Sequence, residues 1–420
     1  MKKFIPIFIF QIYHYSLALI GAVIYSFPSK KLIVVGVTGT NGKSTVVHLI
    51  TEILESTPQM RGKIASLSSI RFKIGDKEEK NMLKMTMPGR FKLQKFLRQA
   101  VNAGCKYMVL EVTSEGIKQF RHKFIDFDGA VFTNLTKEHI EAHKGFENYK
   151  KAKGKLFQAL EKSPKTNKFA ILNADDENSA YFEKLFSGKK YFYAINPPAG
   201  GTGNQKTEIT PDKIGLKLDN LLGEFNLYNA LAAYCAGIAL GIEKNKVLEI
   251  LKIAKGIPGR LELVVNEPFK VFVDYAHTPD GLENVYKTLG KNLICVLGST
   301  GGGRDKWKRP EIGKIAADYC KEIILTNEDP YNENPLSILN EIENGFSQIS
   351  AKGGSASGGQ VSKILDRREA INKALFLAQK DDVVIITGKG CEPWMCVEDG
   401  KKIPWDDREI VKEEFKKLHI

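Results

Sequence analysis

The run Gly39-Thr-Asn-Gly-Lys-Ser-Thr45 constrains this chain more than any other stretch. It follows Leu32-Ile-Val-Val-Gly-Val37, which reads as a buried strand, and precedes Thr45-Val-Val-His-Leu-Ile-Thr-Glu-Ile-Leu54, whose apolar spacing is helical. Strand, glycine turn and helix form the context in which backbone N–H groups at a helix start cradle phosphate oxygens. Lys43 is then placed to neutralise β/γ-phosphate charge, and Ser44 to offer a hydroxyl to Mg²⁺. The common form of this loop has a glycine five residues before the Gly-Lys pair. Here Val37 stands there, with glycines at Gly36, Gly39 and Gly42, which narrows the class of nucleotide binder.

With 420 residues, 43% of them hydrophobic, the chain can bury two or three cores. Its formal charge of +13 favours anionic partners such as nucleotides, sugar nucleotides, acidic peptides or anionic lipid headgroups. Nucleic acid is not expected, because the lysines are scattered and neither zinc-finger spacing nor an RNP-like aromatic run occurs. Six cysteines without a C-x-x-C pair read as reduced, mostly buried thiols of a cytoplasmic protein.

The segment Phe4 to Phe27 carries no Asp, Glu, Lys or Arg and is flanked by Lys2-Lys3 and Lys30-Lys31. A helix of this length can cross a bilayer core, lie in its interface or pack on the protein, and all three placements stay open. Gln11, His14, Ala18, Gly21, Ala22 and Tyr25 share one helical face that is small or polar enough to lie against protein or headgroups.

From Leu32 to Pro258, strand-like runs (Tyr107 to Leu110, Gly129 to Phe132, Phe169 to Leu172) alternate with amphipathic helical stretches, predicting an α/β domain on a mostly parallel sheet. Residues 197–213 read as a loop. A smaller Rossmann-like α/β domain is expected after Gly259, with strands near Val271 to Val273, Leu293 to Leu297, Ile323 to Thr326 and Val383 to Ile386. The expected organisation is an apolar N-terminal helix (1–30), a P-loop-like ATPase domain (31–258) and the second α/β domain (259–420), with sites at strand C-termini lining the cleft between the domains. The Gly/Ser-rich stretch 353–359 reads as a surface loop.

Short motifs follow the glycine loop in a fixed order: Glu111-Val-Thr-Ser-Glu-Gly116, Asn134-Leu-Thr-Lys-Glu-His139, Ala152-Lys-Gly-Lys-Leu-Phe157, Phe225-Asn-Leu-Tyr-Asn229, Gly259-Arg-Leu-Glu262, Asp274-Tyr-Ala-His-Thr-Pro279, Gly303-Arg-Asp-Lys306 and Gly388-Lys-Gly390. As an ordered set, over residues 32–420, they resemble the Mur ligase family, nearest the branch (the MurE type) that adds the third peptide residue to a UDP-N-acetylmuramoyl dipeptide. The resemblance implies an ATP- and Mg²⁺-dependent carboxylate–amine ligase of peptidoglycan precursor synthesis, working through an acyl phosphate on a muropeptide and a free amino acid.

It further implies roles for individual residues. Gly39, Thr40, Asn41, Gly42, Lys43, Ser44 and Thr45 would hold the ATP phosphates. Ser44, Glu111, His139 and a carbamylated Lys153 would hold magnesium. Carbamylation needs an unprotonated amine, which the crowded Lys150-Lys-Ala-Lys-Gly-Lys155 run would favour. Asn226, Asn229, Arg260, Asp274 and His277 would contact the nucleotide. Thr86, Pro88, Thr113, Gln119 and Arg121 match positions for the muramoyl peptide, although Met87 replaces a usual threonine. Arg304, Glu328, Asp329, Tyr331, Gly388 and Glu392 match positions around the incoming amino acid.

Two departures stand out. The family's N-terminal domain that grips uridine diphosphate has no counterpart before Leu32, so a lipid-linked acceptor, at the inner face of the plasma membrane, stands beside the UDP-linked one. Other polymer acceptors, and a nucleotide-binding module without turnover, are the remaining alternatives. The second departure is Glu328-Asp-Pro-Tyr331, where enzymes selecting meso-diaminopimelate carry Asp-Asn-Pro-Arg. Tyrosine cannot form the bidentate pair that arginine makes with a distal carboxylate. L-Lysine or a similar diamine is therefore expected, with its basic end near Glu392 and Glu328 or Asp329.

Overall fold

The computed structural model describes residues 7–83, 85–196, 208–350 and 360–418. The chain divides into two compact units, one of residues Met1–Lys137 and His143–Lys255, the other of Glu138–Ala142 and Gly256–Ile420.

In the first unit, nine strands form one sheet: β1 (Ile33–Thr38), β2 (Ile64–Leu67), β3 (Arg71–Ile74), β4 (Lys77–Lys80), β5 (Tyr107–Glu111), β6 (Gly129–Phe132), β7 (Phe169–Asn173), β8 (Lys189–Tyr193) and β9 (Glu208–Ile209). Their order is β4-β3-β2-β5-β1-β6-β7-β8-β9. Only the β2–β3 and β3–β4 pairs run antiparallel, so the sheet is mostly parallel. The central β1 is apolar on both faces, as a strand covered from both sides must be. Leu32 and Val34 enter one core with Phe127, Leu156 and Phe157, while Val35 and Val37 enter the other with Val46, Ile50 and Ala233.

The helices that matter for the site are α1 (Ile7–Ile24), α2 (Lys43–Glu55), α3 (Arg90–Asn102), α4 (Ser114–Lys118), α5 (Ile140–His143) and α6 (Phe146–Glu161). Gly36 explains the position of α6. A Cβ there would lie 2.8 Å from Leu156 Cδ1 and 2.9 Å from the Phe127 ring, so only glycine lets this helix approach β1 so closely. The stretch 197–213 is not wholly loop: β9 lies within it and the helical turn Pro211–Ile214 begins in it, and 197–207 fall outside the described residues, as do 353–359.

α1 is a helix, as expected. Among the described residues no helix is long and apolar enough to cross a membrane. The 18 residues of α1 rise roughly 27 Å. The predicted small face is the packed one: His14, Ala18, Gly21 and Ala22 are buried, although Gln11 is exposed.

The second unit holds a six-stranded sheet of β10 (Glu262–Val265), β11 (Lys270–Val273), β12 (Leu293–Leu297), β13 (Cys320–Leu325), β14 (Gln360–Lys363) and β15 (Val383–Ile386), in the order β10-β11-β15-β12-β13-β14. Only the edge pair β10–β11 is antiparallel. A two-stranded ribbon, β16 (Trp394–Cys396) with β17 (Lys402–Pro404), follows. Cys295 and Cys320, on the parallel neighbours β12 and β13, form a disulfide with their Cα atoms 6.1 Å apart. This corrects the expectation of thiols throughout: pairing across adjacent strands is a tertiary fact that spacing does not reveal. Cys105, Cys235, Cys391 and Cys396 are buried and lie outside this disulfide.

Candidate active site

The glycine loop leaves β1 and enters α2 at Lys43, with Gly42 at the N-cap in a left-handed conformation (φ 80°) and no side chain capping the helix. An uncapped helix start beside a lysine is a ready anion site. The loop is braced by the residues after β6. Asn41 N donates to Asn134 Oδ1 at 2.9 Å, Thr133 Oγ1 to the Asn41 carbonyl at 2.7 Å, and Thr136 N to Thr40 Oγ1 at 3.0 Å. Lys43 Nζ folds back onto the Thr40 carbonyl at 2.6 Å. Thr45 is buried in the first turn of α2. Asn229 occupies the space where a Cβ on Gly42 would stand, and donates to Asn226 Oδ1 at 3.2 Å, so both asparagines of the helix Glu224–Ala239 lie at the loop.

Val37 of β1 stands opposite Glu111 of β5 in the parallel register, which brings the end of one strand beside the loop leaving the other. Ser44 Oγ donates to Glu111 Oε2 at 2.8 Å, Ser69 N donates to the same oxygen at 3.0 Å, and the two serine hydroxyls are 2.8 Å apart. Two hydroxyls and a buried carboxylate are hard oxygen donors suited to Mg²⁺, which takes few protein ligands and completes its shell with water and phosphate. The residues therefore fit that ion. Among the described residues, no group of three or more His, Cys, Asp or Glu side chains converges as a metal centre.

Lys153 is buried on α6, one turn before Leu156, and its Nζ donates to the Gly39 carbonyl and lies 4.5 Å from the centroid of the Tyr149 ring. Tyr149 OH in turn lies 3.2 Å from Thr40 Oγ1. Of the crowded lysines, Lys150 pairs with Glu147 at 2.8 Å. His139 lies on a different segment. It sits at φ 55° on Glu138–Ala142, the segment grouped with the second unit. There Asp305 accepts from Ile140 N at 3.0 Å and Glu141 N at 3.1 Å, and Lys308 pairs with Glu138 at 3.3 Å.

The residues matched to a muramoyl peptide meet in one patch. Thr113 caps α4 by accepting from Gly116 N at 3.1 Å. Arg121 donates to Gln119 Oε1 at 2.7 Å and to the carbonyl of Met87, between Thr86 and Pro88. The departure at Met87 thus leaves the backbone contact intact, while the thioether packs on Gly116. Arg90 Nε donates to the Gln119 carbonyl at 2.8 Å, and its other arm reaches His14 of α1. Burial, then Arg90 and Arg121, lower the pKa of His14.

In the second unit, Asp274 follows β11 and accepts from the backbone N–H groups of Leu261 and Ala276, each at 2.5 Å. Burial raises its pKa against the pull of Arg260. Arg260 lies 4.2 Å over the Tyr275 ring. Burial and the Lys308 ammonium lower His277 to a pKa of about 3, so its imidazole is neutral near pH 7.

Around the expected amino-acid pocket the acids are not alike. Lys389 Nζ, fully buried, donates to Asp329 Oδ1 at 3.0 Å and Glu392 Oε2 at 2.7 Å. One ammonium offsets only one of those two negative charges, so the trio keeps a net negative charge. Glu328 differs. Thr300 donates to its Oε1, while Oε2, beside Gly388, is buried with no hydrogen-bond partner among the described residues. Burial raises its pKa. The Tyr331 ring packs on Gly302, and Arg304 is exposed on the same loop.

Sequence reasoning missed Ser69, Asn134, Lys308, Lys389 and Thr300. Asn134, Lys308 and Lys389 lie within or beside quoted motifs, a usable signal; Ser69 and Thr300 carry none.

Two family descriptions match the chain: the Mur ligase middle domain over residues 37–237 and the Mur ligase glutamate ligase domain over 259–390. The chain is 37% identical over 415 residues to a UDP-N-acetylmuramoyl-L-alanyl-D-glutamate–2,6-diaminopimelate ligase of Bacillus cereus, covering 95% of this chain and 81% of that protein. It is 38% identical to the ligase of the same name from Caldanaerobacter subterraneus subsp. tengcongensis, with the same coverage. A solved structure bearing that name aligns with TM-score 0.56 at 29% identity, over 93% of this chain and 79% of the other. A Mycobacterium tuberculosis folylpolyglutamate synthase solved with ADP and AMPPCP shares the fold, with TM-score 0.65 at 16% identity, over 89% of this chain and 92% of the other.

Proposed function

The chain belongs to the Mur ligase family, and from that premise we propose that it joins a free amino acid to the terminal carboxylate of a UDP-N-acetylmuramoyl dipeptide or related muropeptide. The observation that carries this reading is the junction of the glycine loop, Ser44, Ser69 and Glu111 at the end of β1 and β5. A carboxylate does not react with amines, so ATP must first convert it to an acyl phosphate.

Bound Mg²⁺ would offset charge on the transferring phosphoryl group, held by Ser44 and Glu111 with Ser69 alongside. The N–H groups starting α2 would bind phosphate oxygens, and Lys43 would swing from Thr40 to the same charge. Lys153, carbamylated, would supply a further anion for a second ion with His139. In this structure its amine bonds Gly39, and that bond would have to be exchanged. Asn226 and Asn229 would contact the nucleotide, and Arg260, Asp274 and neutral His277 match further positions that the family resemblance gives to nucleotide contact. Thr113, Gln119 and Arg121 would hold the acceptor peptide, aided by Thr86 and Pro88.

For the incoming amino acid, Arg304 would pair with the α-carboxylate, and Glu328, whose Oε2 has no hydrogen-bond partner among the described residues, would receive a distal ammonium, with Glu392 and Asp329 adding negative charge. Tyr331 offers nothing cationic to a distal carboxylate, which favours L-lysine or another diamine. The second reading, 2,6-diaminopimelate, is favoured by the names of the relatives. On either reading the enzyme works in the cytoplasm, where ATP and free amino acids are available. The test incubates the protein with ATP, Mg²⁺, UDP-N-acetylmuramoyl dipeptide and candidate amino acids. Product mass should rise by one amino-acid residue with release of ADP and phosphate, and an unchanged acceptor with every amino acid would overturn the assignment.

A further inference from the structure

α1 has two unlike faces. His14, Ala18, Gly21 and Ala22 are buried, with Gly21 against Phe91 and Gln94 of α3, and Arg98 of α3 donates to the Tyr25 carbonyl at 2.9 Å. The opposite face presents Ile9, Ile12, Leu19, Ile20, Val23 and Ile24, between 38% and 60% exposed. At 3.6 residues per turn these six fall within an arc of about 140°, a continuous aliphatic stripe. A stripe of this kind, facing outward along a whole helix, marks an interaction surface rather than scattered surface apolar residues.

Charge indicates what it meets. The chain has no Asp or Glu before Glu52, and none between Glu79 and Glu111, a stretch that includes all of α3. Lys30 and Lys31 after α1, and Lys92 and Lys95 on the neighbouring α3, are exposed. The two elements that flank the stripe, the turn after α1 and α3, thus carry exposed cations and no acid of their own, although Asp126 lies near the turn through its bond to Ser29. Two copies set face to face would bring these cations together, whereas anionic headgroups satisfy the border while acyl chains receive the stripe. Tyr13 and Tyr15, exposed along α1, suit a boundary that is apolar on one side and wet on the other. The length and the packed inner face fit a helix lying in the interface.

We infer that α1 docks this protein on an anionic lipid surface, lying parallel to it with Ile12, Ile20 and Val23 inserted at the headgroup boundary and the four lysines on the headgroups. This docking is independent of the ligase reading. The test is co-sedimentation of the full chain with vesicles of phosphatidylcholine alone, or with a third of the lipid replaced by phosphatidylglycerol. Binding is expected to the anionic vesicles, weakening at high salt. It should fall at least about tenfold in the triple variant Ile12→Ser, Ile20→Ser, Val23→Ser and in the charge variant Lys30→Gln, Lys31→Gln. Thermal melting confirms that both variants fold, and ligation of a soluble acceptor in the triple variant should match wild type. Failure of wild type to bind either vesicle overturns the inference and leaves the ligase reading standing. So does light scattering that shows a dimer which the triple variant converts to monomer, since a second copy would then cover the stripe.

Discussion

Ser44 Oγ donates to Glu111 Oε2 over 2.8 Å, joining the start of α2 to the end of β5 across 67 residues of chain. The contact follows from the register, because Val37 opposite Glu111 sets the exit of β1 beside the C-terminus of β5. It leaves a hydroxyl and a carboxylate already facing one another at the phosphate loop.

Replacing either partner should remove turnover without unfolding the protein. Glu111→Gln keeps the volume and the hydrogen bond from Ser44 but loses the charge that an Mg²⁺ ion needs, so ligation should drop at least about a hundredfold, or roughly 2.7 kcal/mol of transition-state stabilisation. Wild-type rates in Glu111→Gln at saturating Mg²⁺ would sink the metal role. Lys43→Ala should be at least as severe.

Lys153 gives a different signature. Lys153→Ala should lose activity, and short carboxylates such as acetate should restore part of it by supplying the anion that a carbamate would provide. A ¹³C-bicarbonate NMR signal from a lysine carbamate in wild type, absent in the variant, is the direct check. No such signal together with no rescue would reduce Lys153 to a brace for Gly39.

Selection of the amino acid should depend on Glu328. In one reaction containing lysine, ornithine, alanine and diaminopimelate, the diamines lysine and ornithine should dominate the product masses. Glu328→Gln should cut the preference for lysine over alanine by about tenfold or more, near 1.4 kcal/mol. A clear preference of wild type for diaminopimelate would show that the argument from Tyr331 is wrong.

His122 should make stability acid-sensitive. Burial, then Lys123 and Lys155, hold it near a pKa of about 3 against an ordinary 6.5, with Nδ1 buried and without a hydrogen-bond partner among the described residues. Below about pH 6.5 the unfolded chain takes up a proton that the folded chain refuses. Stability should therefore fall with pH from about 6.5 towards 3, at up to about 1.4 kcal/mol per unit from this residue. Thermal melting of His122→Leu across that range should show a shallower decline than wild type, and parallel curves would refute the assignment.

Much of the phosphate loop was legible because its function is local. Gly39 to Thr45 is contiguous, and its strand and helix announce themselves by periodicity, as do β5, β6 and β7. The two cores were equally readable, since a strand such as β1, apolar at nearly every position, can only lie between two layers. The parts of the site that depend on distant partners were not. Ser69 has no motif, and it meets Glu111 only because β2 pairs with β5. Asp329 and Glu392 look like free acids until Lys389 is found buried between them.

The sequence by itself determined the phosphate loop, the alternation of strand and helix that commits the chain to parallel sheets, and the ordered motifs that mark its family. Periodicity, glycine and charge act over a few residues, so they can be read in line. Only the tertiary structure decided that α1 lies along the first unit with its aliphatic side outward, that Cys295 pairs with Cys320, and that Glu328 keeps a buried oxygen without a hydrogen-bond partner among the described residues. Each of these depends on which surfaces meet across long stretches of chain, and burial and pairing are properties of those meetings rather than of any residue type.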